Sequence, residues 1–434
     1  MVVHAEESLR RLGKFLSCFE NCFGRSVQRG GVLNYVEGLC GPSEKKNLVQ
    51  MLANLNKTED YQELQHFITS SPWDGKKVWG VLRQQIPERT GMLIQDDTGI
   101  PKQGAQSVGV KRQYSGTLGK IGNCQIAVSS ILRAGMANWL VAMDLYLPKE
   151  WIQDKNRRMK AGIPDDVEFR EKWRIALDQI DVAQASGFEI ECVAADAGYG
   201  GCAEYRAGLA SRGLNYVVGV TGATTVYETD PRLVSHPKPR RGRPRIRPRL
   251  RKGARTVSLK KLVEREGKWT KIKWRNGERK LLKGKFRACR IYSAAEWREV
   301  LPMSECWLLI EKRPNETKYY FSNLPADAPL QTLVETTHQR WAIEQSYREI
   351  KNELGFDHFA GRKYGGWNHH AVLVAVTHTF LQMERKRTKK KEKILPLPAV
   401  RKFVREIFLS LHVAGNRKLY RLVQHFHDNP PMRI

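Results

Sequence analysis

The sequence predicts an α/β protein with an all-helical N-terminal part and a β-rich module set into its second half. Three observations carry this. Apolar residues recur at helical spacing through roughly the first 86 positions, short apolar runs ending in Asp follow, and a Pro- and Arg-rich interruption then separates two strand-patterned regions before a last helical stretch. A chain of 434 residues, 41% of them hydrophobic, is long enough for two to four domains and a sizeable core.

Over residues 8–86, Leu9, Leu12, Phe15, Leu16 and Phe19 fall three and four apart, and breaks at Gly41-Pro42 and Ser70-Ser71-Pro72 divide the region into separate helices. Met92-Leu93-Ile94 runs into Gln95-Asp96-Asp97, which suits a buried strand whose end carries acids. Residues 125–132 and 139–147 predict two more strands joined at Ala134-Gly135, so the first three strands form an antiparallel meander. A helix is expected over 166–185, with Phe169, Trp173, Ala176, Leu177 and Ile180 on one face and Gly187 as its stop. Residues 190–195 form another apolar strand. It ends at Asp196-Ala197-Gly198-Tyr199-Gly200, where the glycines permit a tight turn, and a helix capped by Gly213 and a strand at 216–220 follow.

The composition shifts at 237–255, PKPRRGRPRIRPRLRKGAR, whose four prolines exclude an ordinary helix or central strand and predict an exposed basic segment. Within it Arg241-Gly242-Arg243-Pro244-Arg245 resembles an AT-hook core, in which extended Arg side chains enter a narrow A·T minor groove; a solvated loop touching phosphates is the equal alternative. Residues 257–324 alternate polar and apolar with turns at Arg275-Asn276-Gly277 and Pro314-Asn315, and 330–382 return to helix. The expected divisions are 1–88 (helical), 89–222 (a first strand-and-helix part), 223–326 (basic hook and β-rich insertion), 327–384 (a second, helical part) and 385–434 (basic tail and helix).

A net charge of +29, from 74 Lys and Arg against 45 Asp and Glu, calls for a polyanionic partner, most simply double-stranded DNA. No apolar run approaches the roughly 20 residues of a spanning helix. The N-terminus also lacks the apolar core of a secretory signal, so a cytoplasmic protein is expected. Eight scattered cysteines without a C-x-x-C pair read as buried reduced thiols. His369, His370 and His378 lie on an apolar helix and read as structural rather than metal-binding.

Acid-tipped strands followed much later by an acid on a helix are what an oxygen-coordinated metal site needs. Asp96, Asp196 and Glu344 fit. Arg340, Glu344, Tyr347 and Lys351 are spaced by four, three and four residues, so one helix face presents an acid among cations suited to phosphate. The residues alone leave Asp97 open as the first acid. Its other role is a supporting acceptor or a charge on the opposite face of the strand.

Three stretches, DDTGIPKQGAQSVGVKRQYSGTLGKIGNCQIAVS (96–129), ADAGYG (195–200) and RWAIEQSYREIKNELGFDHF (340–359), resemble bacterial insertion-sequence transposases of the DDE superfamily, in the branch with a β-rich insertion between the second Asp and the Glu. The resemblance implies an RNase H-like catalytic core with an N-terminal helical domain and a β-rich insertion domain. It selects Asp96, in Asp-Asp-Thr, over Asp97. It implies that Asp96, Asp196 and Glu344 are catalytic and bind two Mg²⁺ ions, for which Mn²⁺ can substitute, and that Arg340, Tyr347, Lys351, Arg241, Arg243 and Arg245 contact DNA. The family's Tyr-Arg-Glu-Lys signature is matched by Arg340, Glu344 and Lys351, but its Tyr position holds Thr337.

The activity implied is metal-dependent cleavage and strand transfer in cut-and-paste transposition, at the nucleoid, by a dimer that pairs transposon ends. Relatives stack an insertion-domain aromatic on a flipped base, and Trp269, Trp274, Trp297 and Trp307 lie in that region. Basic helical faces with Arg25, Arg29, Lys45 and Lys46 are N-terminal DNA candidates. Two other readings remain: an RNase H-like nuclease without strand transfer, and a transposase-derived DNA-binding protein without catalysis.

Overall fold

Strand β1 (Thr90–Pro101) contains Met92-Leu93-Ile94 and is buried over most of its length, as a strand paired on both edges and covered by helices on both faces must be. The computed structural model describes residues 2–55, 61–116, 119–231, 233–234, 249–250, 253–276, 281–294, 305–387 and 396–402. After β1 come β2 (Lys111–Ser115), β3 (Lys120–Ala134) and β4 (Ala137–Tyr146). β3 runs antiparallel to β1, and β4 antiparallel to β3. Gly135 turns between them at φ +57°, a conformation that favours glycine. On the other edge of β1, β5 (Glu189–Ala195) is parallel, and β6 (Tyr216–Val220) is parallel to β5. This antiparallel meander beside parallel strands is the expected RNase H-like core. The short β2, pairing with the start of β3, was not expected.

Helices α1 (Val2–Ser17), α2 (Ser26–Cys40), α3 (Leu48–Leu55), α4 (Tyr61–Thr69) and α5 (Gly75–Gln85) precede the sheet. Between β4 and β5 lie α6 (Lys149–Gln153), α7 (Lys155–Ala161) and α8 (Lys172–Ala185); α9 (Ala197–Gly200) and α10 (Ala203–Ser211) join β5 to β6. α8 starts later than the expected residue 166. Gly162 closes α7 at φ +65°, Val167 turns back onto the Pro164 carbonyl, and Phe169 packs edge-on to Tyr146, so the chain stays non-helical up to the Glu171 cap.

The insertion contains β7 (Thr225–Tyr227), β8 (Leu233–Val234), β9 (Arg249–Leu250), β10 (Val257–Ser258), α11 (Leu259–Val263), β11 (Thr270–Asn276), β12 (Leu281–Ser293), β13 (Glu305–Lys312) and β14 (Thr317–Ser322). β14 pairs antiparallel with β6, so β14, β13 and β12 extend the core sheet beyond β6. Arg241, Arg243, Arg245 and Trp297 lie outside the described residues.

The expected helical stretch at 330–382 is divided. It comprises α12 (Leu330–His338), α13 (Trp341–Arg348), a π turn (Glu349–Glu353) and α14 (Tyr364–Arg387), with Gly355 at φ +62° breaking the run. α14 is buried around most of its circumference, which suits its apolar run Val372–Val376. Helices α1, α2, α4 and α5 pack around it, in one core with Met92, Ile94 and Ile131 from the sheet. Leu93, Val128 and Val193 face the opposite layer, formed by α8 and α10. No helix among the described residues is long and apolar enough to cross a membrane. Cysteines 40, 124, 192 and 306 are buried free thiols, whereas, against expectation, Cys22, Cys202 and Cys289 are only partly buried and Cys18 is exposed.

His369 and His370 are structural, as expected. His370 contacts the Tyr35 hydroxyl at 2.8 Å and the Phe356 carbonyl at 3.0 Å. One ring nitrogen must donate to the carbonyl and the other accept from the hydroxyl, so the ring is held neutral. Burial pulls its pKa down to about 3. Between the unfolded value near 6.5 and this folded value, the unfolded chain takes up a proton that the fold excludes, so stability falls as pH falls through that window. Urea unfolding at pH 7 and pH 4 should show the parent losing on the order of 3 kcal/mol more than His370→Gln between the two. An equal loss in both proteins would show that His370 is not the source.

Candidate active site

Alternation along β1 sends Gln95 and Asp97 to one face of the sheet and Asp96 to the other. The buried Gln95 amide donates to Ser130 Oγ (2.8 Å) and the Ala176 carbonyl (2.7 Å), and accepts from the Tyr205 hydroxyl (2.6 Å). Asp97 pairs with Lys172 of α8, Nζ to Oδ2 at 2.8 Å. On the opposite face, Asp96 receives Arg340 Nη1 at 3.0 Å. Asp97 therefore ties β1 to α8, and Asp96 faces the helix that carries Glu344.

In the β1–β5 ladder Gln95 pairs with Ala195, so Asp196 leaves β5 beside Asp96. Its carboxylate caps α9, accepting from the backbone N–H groups of Gly198 (2.8 Å) and Tyr199 (3.3 Å). The sequence assigns the glycines of this segment to a tight turn, but Gly200 is helical and is required by packing. A Cβ there would lie 2.0 Å from the Gly219 carbonyl oxygen of β6.

The electrostatics follow from this proximity. Burial pushes the Asp96 carboxyl up to about 8, and the neighbouring Asp196 carboxylate adds to the rise while Arg340 opposes it. Burial weakens the charge on Arg340, but Asp96, Glu344 and Asp196 outweigh it and raise its pKa. The guanidinium bridges two acids, with Nη1 on Asp96 and Nη2 on Glu344 one helical turn away. The Glu344 side chain is 46% exposed.

Tyr347 and Lys351 point inward instead. The Tyr347 hydroxyl shares a 2.7 Å hydrogen bond with Ser129 Oγ on β3. Lys351, in the π turn, donates to the Gly99 carbonyl of β1 at 2.9 Å, and burial lowers its pKa. Of the three helix residues read as DNA contacts, Arg340 stands beside the acids and the other two are buried against the sheet. Of the expected basic helical faces, Arg29 is exposed on α2 and Arg25 at its N-cap, but Lys45 and Lys46 lie in the connection between α2 and α3, Lys45 exposed and Lys46 buried with its ammonium on the Gly41 carbonyl.

No three His, Cys, Asp or Glu side chains among the described residues converge closely enough to hold a metal ion. Asp96 and Asp196 nevertheless present the hard carboxylate oxygens that Mg²⁺ and Mn²⁺ take, and the raised Asp96 pKa marks a place where positive charge is stabilising. The donor chemistry fits a divalent cation at this pair, with Glu344 held one guanidinium away.

Beside Glu344 opens a cavity of about 850 Å³ whose lining includes Arg133, Trp274, Arg313, Tyr320, Trp341 and Glu344. Trp274 stacks on His338, with ring centroids 4.1 Å apart. Trp307 instead donates to the Pro325 carbonyl, and Trp269 lies under Lys312. Thr337, at the signature Tyr position, is buried with its hydroxyl on the Leu333 carbonyl. An aromatic hydroxyl does reach this region from β14, where Tyr320 donates to Glu311 at 3.2 Å. Sequence reading missed it because β14 and α13 are brought together only by the sheet.

The Tyr347–Ser129 bond fixes α13 on the sheet, so its loss should be felt in stability. Tyr347→Phe would leave a buried hydroxyl without its partner and cost about 1–3 kcal/mol in chemical denaturation. A change below about 0.5 kcal/mol would show that the bond does not hold α13.

The DDE superfamily endonuclease model matches residues 18–281, a span that contains Asp96 and Asp196 and ends before Glu344. The chain is also 27% identical, over 354 residues and 80% of each protein, to a probable transposase for insertion sequence element IS701 from Microchaete diplosiphon. Members of this superfamily are typically dependent on divalent metal. With two acids side by side on adjacent strands of an RNase H-like core and a family match over more than half its length, the chain belongs to the DDE endonuclease superfamily.

Proposed function

We propose that this protein is an insertion-sequence transposase that binds the ends of its element and catalyses metal-dependent DNA strand cleavage and strand transfer. The observation that carries the reading is the placement of Asp96, within β1, beside Asp196 at the end of the parallel β5, with Arg340 on Asp96 and bridging it to Glu344. Similarity to the IS701 relative points the same way.

Asp96, Asp196 and Glu344 would hold two Mg²⁺ or Mn²⁺ ions, which when bound lower the pKa of an attacking water and stabilise the departing 3′ oxygen. Glu344 is half-exposed and paired to a long, flexible side chain, so it can exchange Arg340 for another cation. Arg340, released from the carboxylates, is a fork of donors suited to the oxygens of the scissile phosphate. Tyr347 and Lys351 hold the helix against Ser129 and Gly99, and so position Glu344. Water attack forms one P–O bond and breaks the bond to the 3′ oxygen; the freed 3′-OH then attacks target DNA in the same way. Trp274, the insertion tryptophan that lines the cavity next to Glu344, is our choice for stacking on a displaced base.

The test is cleavage and joining of a labelled duplex carrying the element's own ends, with Mg²⁺, by the parent and by Glu344→Gln. The parent should cut and join, while the variant binds the same DNA with a rate at least roughly 100-fold lower, since an acid of the metal site is worth several kcal/mol in the transition state. If both proteins bind and neither reacts with Mg²⁺ or Mn²⁺, a DNA-binding protein without catalysis replaces this reading.

A further inference from the structure

The sheet order places a different surface on each side of the Asp96–Asp196 strand pair. Toward β14 and β13 lies the aromatic cavity. Toward β3 and β2, the segments carrying Asp96 and Glu344 both run on into a basic surface: β1 continues into residues 102–110, and the chain beyond the π turn continues into 359–363.

Hydrogen bonds lock these segments to each other and to α6 and α7. Lys102 Nζ donates to the Phe359 carbonyl (2.5 Å), Val108 N–H to the Arg362 carbonyl (3.2 Å), and Arg157 Nη2 to the Ala105 carbonyl (2.9 Å). Lys363 Nζ reaches the Lys160 carbonyl (2.6 Å), and the Trp151 indole N–H the Val110 carbonyl (2.8 Å). The Arg157 guanidinium lies 3.7 Å from the Trp151 ring centroid, which fixes α7 to α6.

Arg112, Lys155, Lys160, Arg362 and Lys363 stand exposed on this surface. None of the five has a carboxylate within ion-pair distance among the described residues. Of the acids nearby, Glu150 pairs with Lys111 at 2.5 Å, Asp154 caps the N-terminus of α7, Asp165 faces Arg158 at 4.0 Å, and Asp357 acts on Lys102. A rigid surface with uncompensated positive charge is complementary to a polyanion.

Its position says which part of the substrate it meets. Pro101 lies five residues beyond Asp96, roughly 17 Å along the strand, or about five base pairs of duplex at 3.4 Å each. Long cationic side chains hold phosphates without reading bases. The cavity on the other side, with its aromatic and directional polar groups, suits DNA of fixed sequence.

We propose that Arg112, Lys155, Lys160, Arg362 and Lys363 grip the duplex on the non-element side of the scissile phosphate, DNA of arbitrary sequence, through its phosphates. This rests on the transposase reading, whose failure is read out separately below.

The experiment is fluorescence anisotropy of the full chain at several salt concentrations, on element ends that stop flush at the terminus, on ends carrying about ten base pairs of arbitrary flank, and on scrambled ends. The parent should bind flanked ends at least tenfold more tightly than flush ones. Lys160→Glu with Lys363→Glu should abolish that preference and lower the salt slope on flanked DNA by about 0.9 for each phosphate no longer neutralised, while Lys160→Arg with Lys363→Arg keeps both. If charge reversal lowers the thermal unfolding midpoint, Arg112→Gln with Arg362→Gln is measured instead and should act the same way. A parent indifferent to the flank, or charge-changed variants with unaltered preference and slope, would overturn the proposal. Equal binding of native and scrambled ends would instead sink the transposase reading.

Discussion

Two carboxylates set side by side on neighbouring strands, and largely withdrawn from solvent, repel each other in a medium that screens them poorly. Asp96 and Asp196 are set in that position by register, because Gln95 pairs with Ala195 and each acid is the next residue along. The repulsion has to be met by positive charge, and Arg340 supplies it by bridging Asp96 to Glu344. The helix bearing the third acid is thereby tied to the first acid through a cation.

The remaining architecture holds this arrangement in place. Strand alternation gives Asp97 to Lys172 and Gln95 to a buried network on the α8 face, which leaves Asp96 alone on the α13 face. Tyr347 and Lys351 anchor α13 and the π turn on β3 and β1. Behind them α14 forms a buried axis for the N-terminal helices, with Glu384, 1% exposed, held by Arg11 through two hydrogen bonds of 2.8 and 2.7 Å. The insertion adds its strands to the free edge of β6 and brings Tyr320 and Trp274 to the side of Glu344.

Much of this was legible in the residues. Apolar runs ending in acids located β1 and β5, although β1 does not end at its acids as expected but runs on to Pro101, because its ladder with β3 continues; the Ala134-Gly135 turn located the meander, and the three motifs selected Asp96, Asp196 and Glu344 for one site. Properties that depend on pairing were not legible. Nothing local distinguishes Gly200 as a packing residue, because the atom that requires it belongs to β6. The inward course of Lys351 depends on a π turn, which carries no sequence signal in the helical period. The helices α6 and α7 did carry signals, Asp154 as a cap and Gly162 as a stop. Their few residues offered too short a stretch for periodicity to register, and with them the basic surface beside the site went unread.

The central claim is that Asp96 and Asp196, with Glu344, form a site for divalent cations that displace Arg340 from its bridging position. Mn²⁺ binding, followed by electron paramagnetic resonance on the full chain with its DNA end, tests it most directly in the parent and in Asp96→Asn. The account predicts bound Mn²⁺ in the parent and its loss, by tenfold or more in affinity, in the variant. Equal Mn²⁺ binding by both proteins would contradict it.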